Sequence, residues 1–515
     1  MQKAFERLRI NGIFNGDYIN TYDYIELKGL TEEGKRSNTV EIPEEINGNV
    51  VKVIASGAFH HRNELAHIKL PNSITMIGDY AFTKCTSLKK IDLPENLEYI
   101  GENTFLGAKN LKYISVGKKL KHIGNSAFYG TKWLQDNLDD YITLGNVLYK
   151  YQGKESNIII SEKIISITNW AFSNNHEIEC VTIKNDKCIV AEGTFYQCIN
   201  LKEIQGLKGS IESFVFAYCK SLEHIVLEKV EYIGDYAFFM CEKLEHIDIG
   251  SIGLGHCAFA YCNNLQIVMG FPKSLEKGSF YNCYNLKDIN IESSKKIGAF
   301  SLFNTSLKKI ATESDYIGDY ALANNKATTN ISINNRSKLG KAILSNDKSI
   351  KELTISGRYV LAYYFDDMNL IDIPKIHIHD EFIIENIMRQ YLPLKTLVLS
   401  NIKKFGRWTF YECKNLEEVI ITQGIQEIGD WAFTLCDTIH RIELPHTIKK
   451  IGMNAFRYCE NLEVIKLNSD EVVNLMVNAF YATSPNKTIL VPKMILDEYK
   501  NHPNWSEYID NLEGF

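Results

Sequence analysis

Hydrophobic positions along the chain return at a nearly fixed interval. The stretch from Ile77 to Pro94 reads Ile-Gly-Asp-Tyr-Ala-Phe-Thr-Lys-Cys-Thr-Ser-Leu-Lys-Lys-Ile-Asp-Leu-Pro, and variants of it recur almost from end to end. Counted on the Phe that follows Ala or another small residue, Phe59, Phe82, Phe105 and Phe128 lie 23 residues apart. Phe195, Phe216, Phe238, Phe259 and Phe280 follow at 21 or 22, and Phe410, Phe433, Phe456 and Phe480 resume at 23, 23 and 24. A period of about 20 to 29 residues is the mark of a solenoid of stacked coils.

Each unit has a local reading. Leu88, Ile91 and Leu93 have the alternation of a short strand with one face buried. Pro94, like Pro71 and Pro445, closes that strand because proline cannot donate to a ladder. A second extended piece ends at Ile-Gly, where the glycine is expected to permit a tight or left-handed turn. Ala-Phe-x-x-Cys reads as a single helical turn that drops Phe and Cys inward. A lone unit cannot offset the entropy of ordering its backbone, so the copies must stack.

The pattern Leu-x-x-Ile-x-Leu-Pro-x-x-(Leu/Ile)-x-x-Ile-Gly-x-x-Ala-Phe-x-x-Cys resembles the leucine-rich repeats of the BspA-like, Treponema pallidum-type class, over nearly the whole chain. That resemblance implies a repeat solenoid: a right-handed, curved superhelix of short parallel strands, turns and single helical turns, in the α/β class. It also implies a protein used to bind proteins or surfaces, often as a bacterial adhesin, with no catalytic centre attached to the repeat.

The organisation expected along the chain follows. Residues 1–50, with strand-like pieces at Asp23 to Leu27 and Thr39 to Ile42, form an N-terminal cap that shields the first coil's open edge. Residues 51–292 are regular repeats, interrupted near 131–155, where Gly145-Asn146 between apolar alternations reads as a β-hairpin. A similar segment is a recurrent feature of the family resembled. It is a structural insertion or a ligand contact. Over 293–404 the motif decays, the anchors becoming Leu302, Leu322, Leu344 and Phe365. This stretch is either a drifted part of the solenoid or a specialised bend that carries recognition. Within it, 380–392 reads as an amphipathic helix with Asp380 as N-cap and Pro393 as stop. Residues 405–485 are regular again, and 486–515 read as a strand and amphipathic helix that resemble the family's C-terminal cap.

Composition narrows the function. A net charge of -6 gives no general attraction to nucleic acid. No run approaches the ~20 apolar residues of a membrane span, so membrane insertion is not expected. The N-terminus lacks the apolar run of a secretory signal. A chain complete as given would be cytoplasmic or part of a virion, and one whose signal was removed would be secreted or at a cell surface. Nine of the 12 cysteines stand three residues past the anchor: Cys85, Cys198, Cys219, Cys241, Cys262, Cys283, Cys413, Cys436 and Cys459. They read as a column of small core residues rather than a disulfide framework. Cys180, Cys188 and Cys257 lie off it without metal spacing.

Candidate chemistry is sparse. Gly253-Leu254-Gly255-His256-Cys257-Ala258 formally matches a dinucleotide fingerprint, but no strand-to-long-helix context follows. His377 and His379 could face one way on a strand, so a metal site there is the weaker, enzymatic reading. No catalytic residue, metal or cofactor is expected. Binding falls to positions the repeat leaves free. The concave strand face should carry His67, Lys69, Lys90, Asp92, Tyr113, His224, His246, Asp248, Asp288, Arg441 and Glu443. A second row stands two residues before the anchor, with Tyr80, Trp170, Phe214, Tyr236, Tyr320, Trp408 and Trp431 at an edge. These rows suit a protein or glycan ligand better than a polyanion. The competing class is a structural spacer in a larger assembly such as a phage virion.

Overall fold

Two strands per coil account for most of the regular structure. The computed structural model describes residues 5–9, 24–31, 34–46, 48–227, 230–334, 338–344, 349–356, 375–379, 383–384, 394–400 and 402–515. Contacts divide the chain into two compact units, Met1–Lys229 and Val230–Phe515.

In the first unit the Leu-x-x-Ile-x-Leu segments form parallel strands. Thr39–Glu41 pairs with His67–Lys69, and Lys90–Asp92 pairs with Tyr113–Ser115. Asn157–Ile160, Cys180–Ile183, Glu203–Gln205 and His224–Ile225 make a further four-stranded sheet. The Ile-Gly segments form a second series of two-residue strands, Met76–Ile77, Tyr99–Ile100 and His122–Ile123, continuing from Asn49–Ile54. At the N-terminal end Phe5–Arg9 lies antiparallel to Tyr24–Leu30, which itself pairs with Asn49–Ile54.

The second unit repeats this arrangement. Short strands run in order from Tyr232–Ile233 to Lys338–Leu339, and again from Ile383–Ile384 to Asn474–Leu475. Long strands follow the same order, and one six-stranded sheet runs from Lys309–Thr312 to Glu418–Ile421. The described strands of the stretch where the motif decays thus keep the in-register parallel pairing of regular coils. Ile383–Ile384 is one of the short strands, parallel to Lys404–Phe405, where an amphipathic helix is expected over 380–392. The β-branched pair takes the place of the Ile-Gly strand, and the remainder of that expected helix, 380–382 and 385–392, lies outside the described residues. Lys493–Ile495, Leu496–Asn501 and Pro503–Asn511 form short helical segments before the strand Leu512–Gly514.

Three columns fill the interior. The anchor rings stack: Phe59 on Phe82, Phe82 on Phe105 and Phe105 on Phe128, with centroids 5.0 to 5.3 Å apart. In the second unit a stack of the same kind joins Phe410, Phe433, Phe456 and Phe480. Beside it runs the cysteine column, in which Cys85 Sγ donates to the Phe59 carbonyl at 3.2 Å and Cys459 Sγ to that of Phe433 at 3.0 Å. All twelve cysteines are thiols. The third column is glycine, and it corrects the expected role of the Ile-Gly step. Gly78, Gly101, Gly255 and Gly452 do not have left-handed backbones; a Cβ on any of them would come within 2.5 to 2.6 Å of a backbone nitrogen in the preceding coil. They are glycine because adjacent coils touch there.

The Ala-Phe-x-x-Cys stretch is not a helical turn. The N–H groups of Ala81, Thr83 and Cys85 donate three residues back, to Gly78, Tyr80 and Phe82. Those of Tyr80, Phe82 and Lys84 donate instead to Glu102, Thr104 and Leu106 of the next coil, each at 2.8 Å. Left-handed backbones at Tyr80 and Lys84, both with φ of 57°, swing these alternate amides outward. Half the donors that a helix would use internally bind the coils together.

The hairpin Tyr141–Leu144 and Val147–Tyr151 turns at Gly145-Asn146 and splices into the same columns. Tyr149 meets Phe128 edge to face at 5.4 Å, and Tyr151 stacks on Phe172 at 5.1 Å. At the C-terminal end Phe480 meets Trp505 and Tyr508, and Trp505 Nε1 donates to the Val473 carbonyl at 2.8 Å. All three rings are buried.

Candidate functional site

On each long strand the side chains alternate, so a buried Ile leaves its two neighbours outward. His67 and Lys69 flank Ile68, Lys90 and Asp92 flank Ile91, and His246 and Asp248 flank Ile247; all six flanking residues are exposed. Register aligns them across coils: Tyr113 lies opposite Lys90 and Ser115 opposite Asp92. His224 lies opposite Glu203, in a different sheet of the first unit. In the second unit Asp288 shares a sheet with His246 and Asp248, whereas Arg441 and Glu443 belong to another. The strand-row candidates therefore fall into separate groups.

Much of this row is satisfied from within. Lys69 pairs with Glu41 at 2.6 Å and Lys90 with Asp92 at 2.9 Å, while Ser115 Oγ donates to Asp92 at 2.6 Å. The Ser115 and Lys90 bonds hold the Asp92 carboxyl below the usual range. Glu443 accepts from Lys466 at 2.9 Å, Asn468 at 3.1 Å and Arg441 at 3.2 Å, which lowers its pKa to about 2. Tyr113, 58% exposed, sits under Lys112 Nζ at 5.6 Å. The sequence reading omitted Ile267 and Met269, which flank Val268 on the next strand after Asp248 and are exposed apolar members of the row. Their place in Leu265-Gln266-Ile267-Val268-Met269 is the same outward place in the motif.

The aromatic row has a different character. Tyr80, Trp170, Phe214, Tyr236, Tyr320, Trp408 and Trp431 all adopt left-handed backbones, with φ between 54° and 61°. Elsewhere the same place is filled by Gly57, Asn103, Gly193, Gly278, Asn454 and Asn478, residues that enter this region readily, and by Ser126, Cys257, Phe300 and Ala342. A bulky aromatic there is a backbone outlier, costing on the order of 1–2 kcal/mol. The rings nonetheless stay near the surface: Tyr80 is 45% and Tyr320 38% exposed. Trp170 lies over Gly193 and meets Tyr196 edge to face at 5.2 Å. Arg457 packs 5.9 Å from the Trp431 ring and also against Tyr458 and Tyr481.

The remaining candidates are structural. Gly253–Leu254 is a short strand, and Gly255 is the close-contact glycine of its coil. His377 Nε2 lies 2.7 Å from Glu352 on the neighbouring strand, with Lys375 Nζ 3.4 Å from the same oxygen. The His379 side chain lies outside the described residues. No group of three or more metal-binding side chains gathers among the described residues. No helix among them is long and apolar enough to cross a membrane. Burial pushes the Cys85, Cys198 and Cys459 thiols up to about 12, so they stay protonated.

Residues 36–143, 142–266, 253–372 and 381–501 match the family described as BspA type leucine rich repeat region (6 copies). A leucine-rich repeat protein from Bacteroides ovatus is 21% identical, over 99% of this chain and 98% of its own, with a TM-score of 0.24. A leucine rich cell surface protein from Faecalibacterium prausnitzii is 18% identical over 74% of this chain and 96% of its own, with a TM-score of 0.28. The T. pallidum leucine rich repeat protein is 19% identical over 51% and 88%, with a TM-score of 0.22. No curated protein matches the chain.

Proposed function

Because the chain belongs to the BspA type of leucine-rich repeat proteins, we propose that it is a recognition protein, not a catalyst, and that it binds a protein or glycan surface with side chains its coils hold outward. The observation that carries this reading is the aromatic row. Seven large rings, with Phe300 as an eighth, occupy left-handed backbone positions that the other described coils fill with glycine, asparagine or the small side chains of Ser126, Cys257 and Ala342. Backbone strain retained at a surface is a feature of binding sites, where something other than folding selects the residue. The strand rows add mixed charges beside exposed apolar points, Tyr113 in the first unit and Ile267 and Met269 in the second, the composition of a protein-contact rim.

A second reading has its own support. Ion pairs such as Lys69 with Glu41 and Lys466 with Glu443 satisfy the strand face internally, as a spacer that contacts nothing would do. Affinity capture on the immobilised full chain separates the two. Two variants are compared with the parent, one replacing Lys90, Asp92, His246 and Asp248 by alanine and one replacing Tyr80 and Tyr320 by asparagine. A reproducible partner lost from either variant supports recognition, and no partner, or equal capture by all three, supports the spacer.

A further inference from the structure

In the second unit the surface rings form a continuous ribbon. Tyr236 meets Phe239 at 5.7 Å, Phe239 meets Tyr261 at 5.5 Å and Tyr261 meets Tyr281 at 5.5 Å, each edge to face. Tyr281 stacks on Phe303 at 5.3 Å and touches Phe300 at 6.2 Å, and Phe300 stacks on Tyr320 at 5.1 Å. The ribbon crosses the five successive coils anchored by Phe238, Phe259, Phe280, Leu302 and Leu322. Every one of its rings is half-buried or exposed. We propose that this ribbon is a track for a neutral, extended polysaccharide lying along the coil stack with about one sugar ring per coil. The proposal rests on the recognition reading and specifies its ligand.

Three observations point to this chemistry. First, Tyr236, Tyr261, Phe300 and Tyr320 have left-handed backbones with φ of 54° to 62°, so ring after ring is kept where a smaller residue would relieve the chain. Second, neutral amides run beside the rings. Asn282 and Asn304 immediately follow Tyr281 and Phe303, and Asn304 Nδ2 donates to Asn282 Oδ1 at 2.9 Å. The nearby carboxylates of Asp235 and Asp319 accept the His256 and Lys341 backbone N–H groups, each at 2.7 Å, and so are engaged with the fold. Rings that take the apolar faces of sugars, flanked by amides for hydroxyls, suit an uncharged glycan. Third, coils step by about 4.8 Å, close to the length of one pyranose unit in an extended chain. A proline-rich peptide advances about 3.1 Å per residue and would fall out of step with the coils.

The test uses the full chain and an array of neutral linear hexasaccharides built from glucose, mannose, xylose or N-acetylglucosamine, with a proline-rich peptide alongside and calorimetry on any hit. At least one hexasaccharide is expected to bind, and the disaccharide of the same linkage at least about tenfold more weakly, because it spans too few coils. The decisive variant is Tyr236→Asn with Tyr320→Asn, since asparagine already fills this left-handed position at Asn103, Asn454 and Asn478. It is expected to melt no lower than the parent while weakening the hexasaccharide about tenfold. A variant carrying Tyr281→Leu and Phe303→Leu should weaken it similarly. No hexasaccharide bound, binding indifferent to these ring substitutions, or binding of the peptide alone overturns the track. A protein partner captured through the strand row, with no sugar bound, overturns the track and leaves recognition standing. Absence of any partner removes both.

Discussion

The phenolic oxygen of Tyr149 accepts the backbone N–H of Phe128 at 3.1 Å. In regular coils the anchor amide donates to a carbonyl of the next coil, as Phe105 does to Ala127 at 2.7 Å. At the hairpin that carbonyl is replaced by a side-chain hydroxyl, and burial pushes the Tyr149 phenol up to about 12. Tyr149→Phe should keep the ring packing but leave a buried donor without its acceptor, costing about 1–3 kcal/mol. Denaturant unfolding measures the loss. A cost near zero would mean that the hydroxyl has no part in the splice.

Two glycines should respond oppositely to what their backbones alone suggest. Gly101 has ordinary backbone angles, yet a Cβ would stand 2.5 Å from the Asp79 nitrogen; Gly250 has φ of 61° and open space around it. Gly101→Ala is expected to destabilise by about 1–3 kcal/mol or more through overpacking, against about 1 kcal/mol for Gly250→Ala through its left-handed backbone. Thermal melts of the two variants check the order, and a milder effect at Gly101 would contradict close coil contact.

The Phe column should tolerate a smaller apolar residue but not a void. Phe105 is fully buried between Phe82 and Phe128, each 5.3 Å away. Phe105→Ala should cost about 3–5 kcal/mol. Phe105→Leu should cost distinctly less, because Leu302 and Leu322 are buried at the same place in other coils.

Thiol labelling separates the cysteines by position. In the native protein only the partly exposed Cys180 and Cys257 should react promptly. The buried column, and the buried Cys188 outside it, should react only after unfolding, since burial raises Cys85 to about 12 and Cys188 to about 11. Rapid native labelling at Cys85 or Cys459 would count against the buried column.

The carboxyl of Glu443 should titrate near 2 in the folded protein instead of its ordinary 4.5, mainly through the bond from Lys466. Its folded value is the lower one, so its contribution is complete above 4.5 and is lost as pH falls from there through about 2. Solvent screening keeps that contribution small. Carboxyl carbon resonances followed by pH titration should show the low midpoint, and Lys466→Ala should move it up toward 4.5.

The phenylalanine and cysteine columns were legible because one chain position feeds each of them in copy after copy. The glycine column was legible as a pattern but not as a cause: what it avoids is the backbone one coil away, which no local reading contains. The turn after Ile-Gly looked helical because Ala81 and Cys85 keep three-residue spacing whether the intervening amides point inward or to Glu102 and Thr104. Phe239, Tyr261, Tyr281 and Phe303 escaped notice because they shift between two neighbouring motif positions. They become one ribbon only when the coils are stacked. Tyr149 escaped for a related reason, since its hydroxyl replaces a carbonyl that only the neighbouring coils reveal to be missing.

The close-packed glycine step gives the stack a natural unit of gain and loss. Removing residues 78–100 joins Ile77 to Gly101 and sets a glycine against Ser56, which Gly78 already approaches closely. In-frame recombination between copies can therefore lengthen or shorten this protein by whole turns without inventing a new contact surface. Coil number and the count of outward-facing side chains become quantities that selection can adjust in steps.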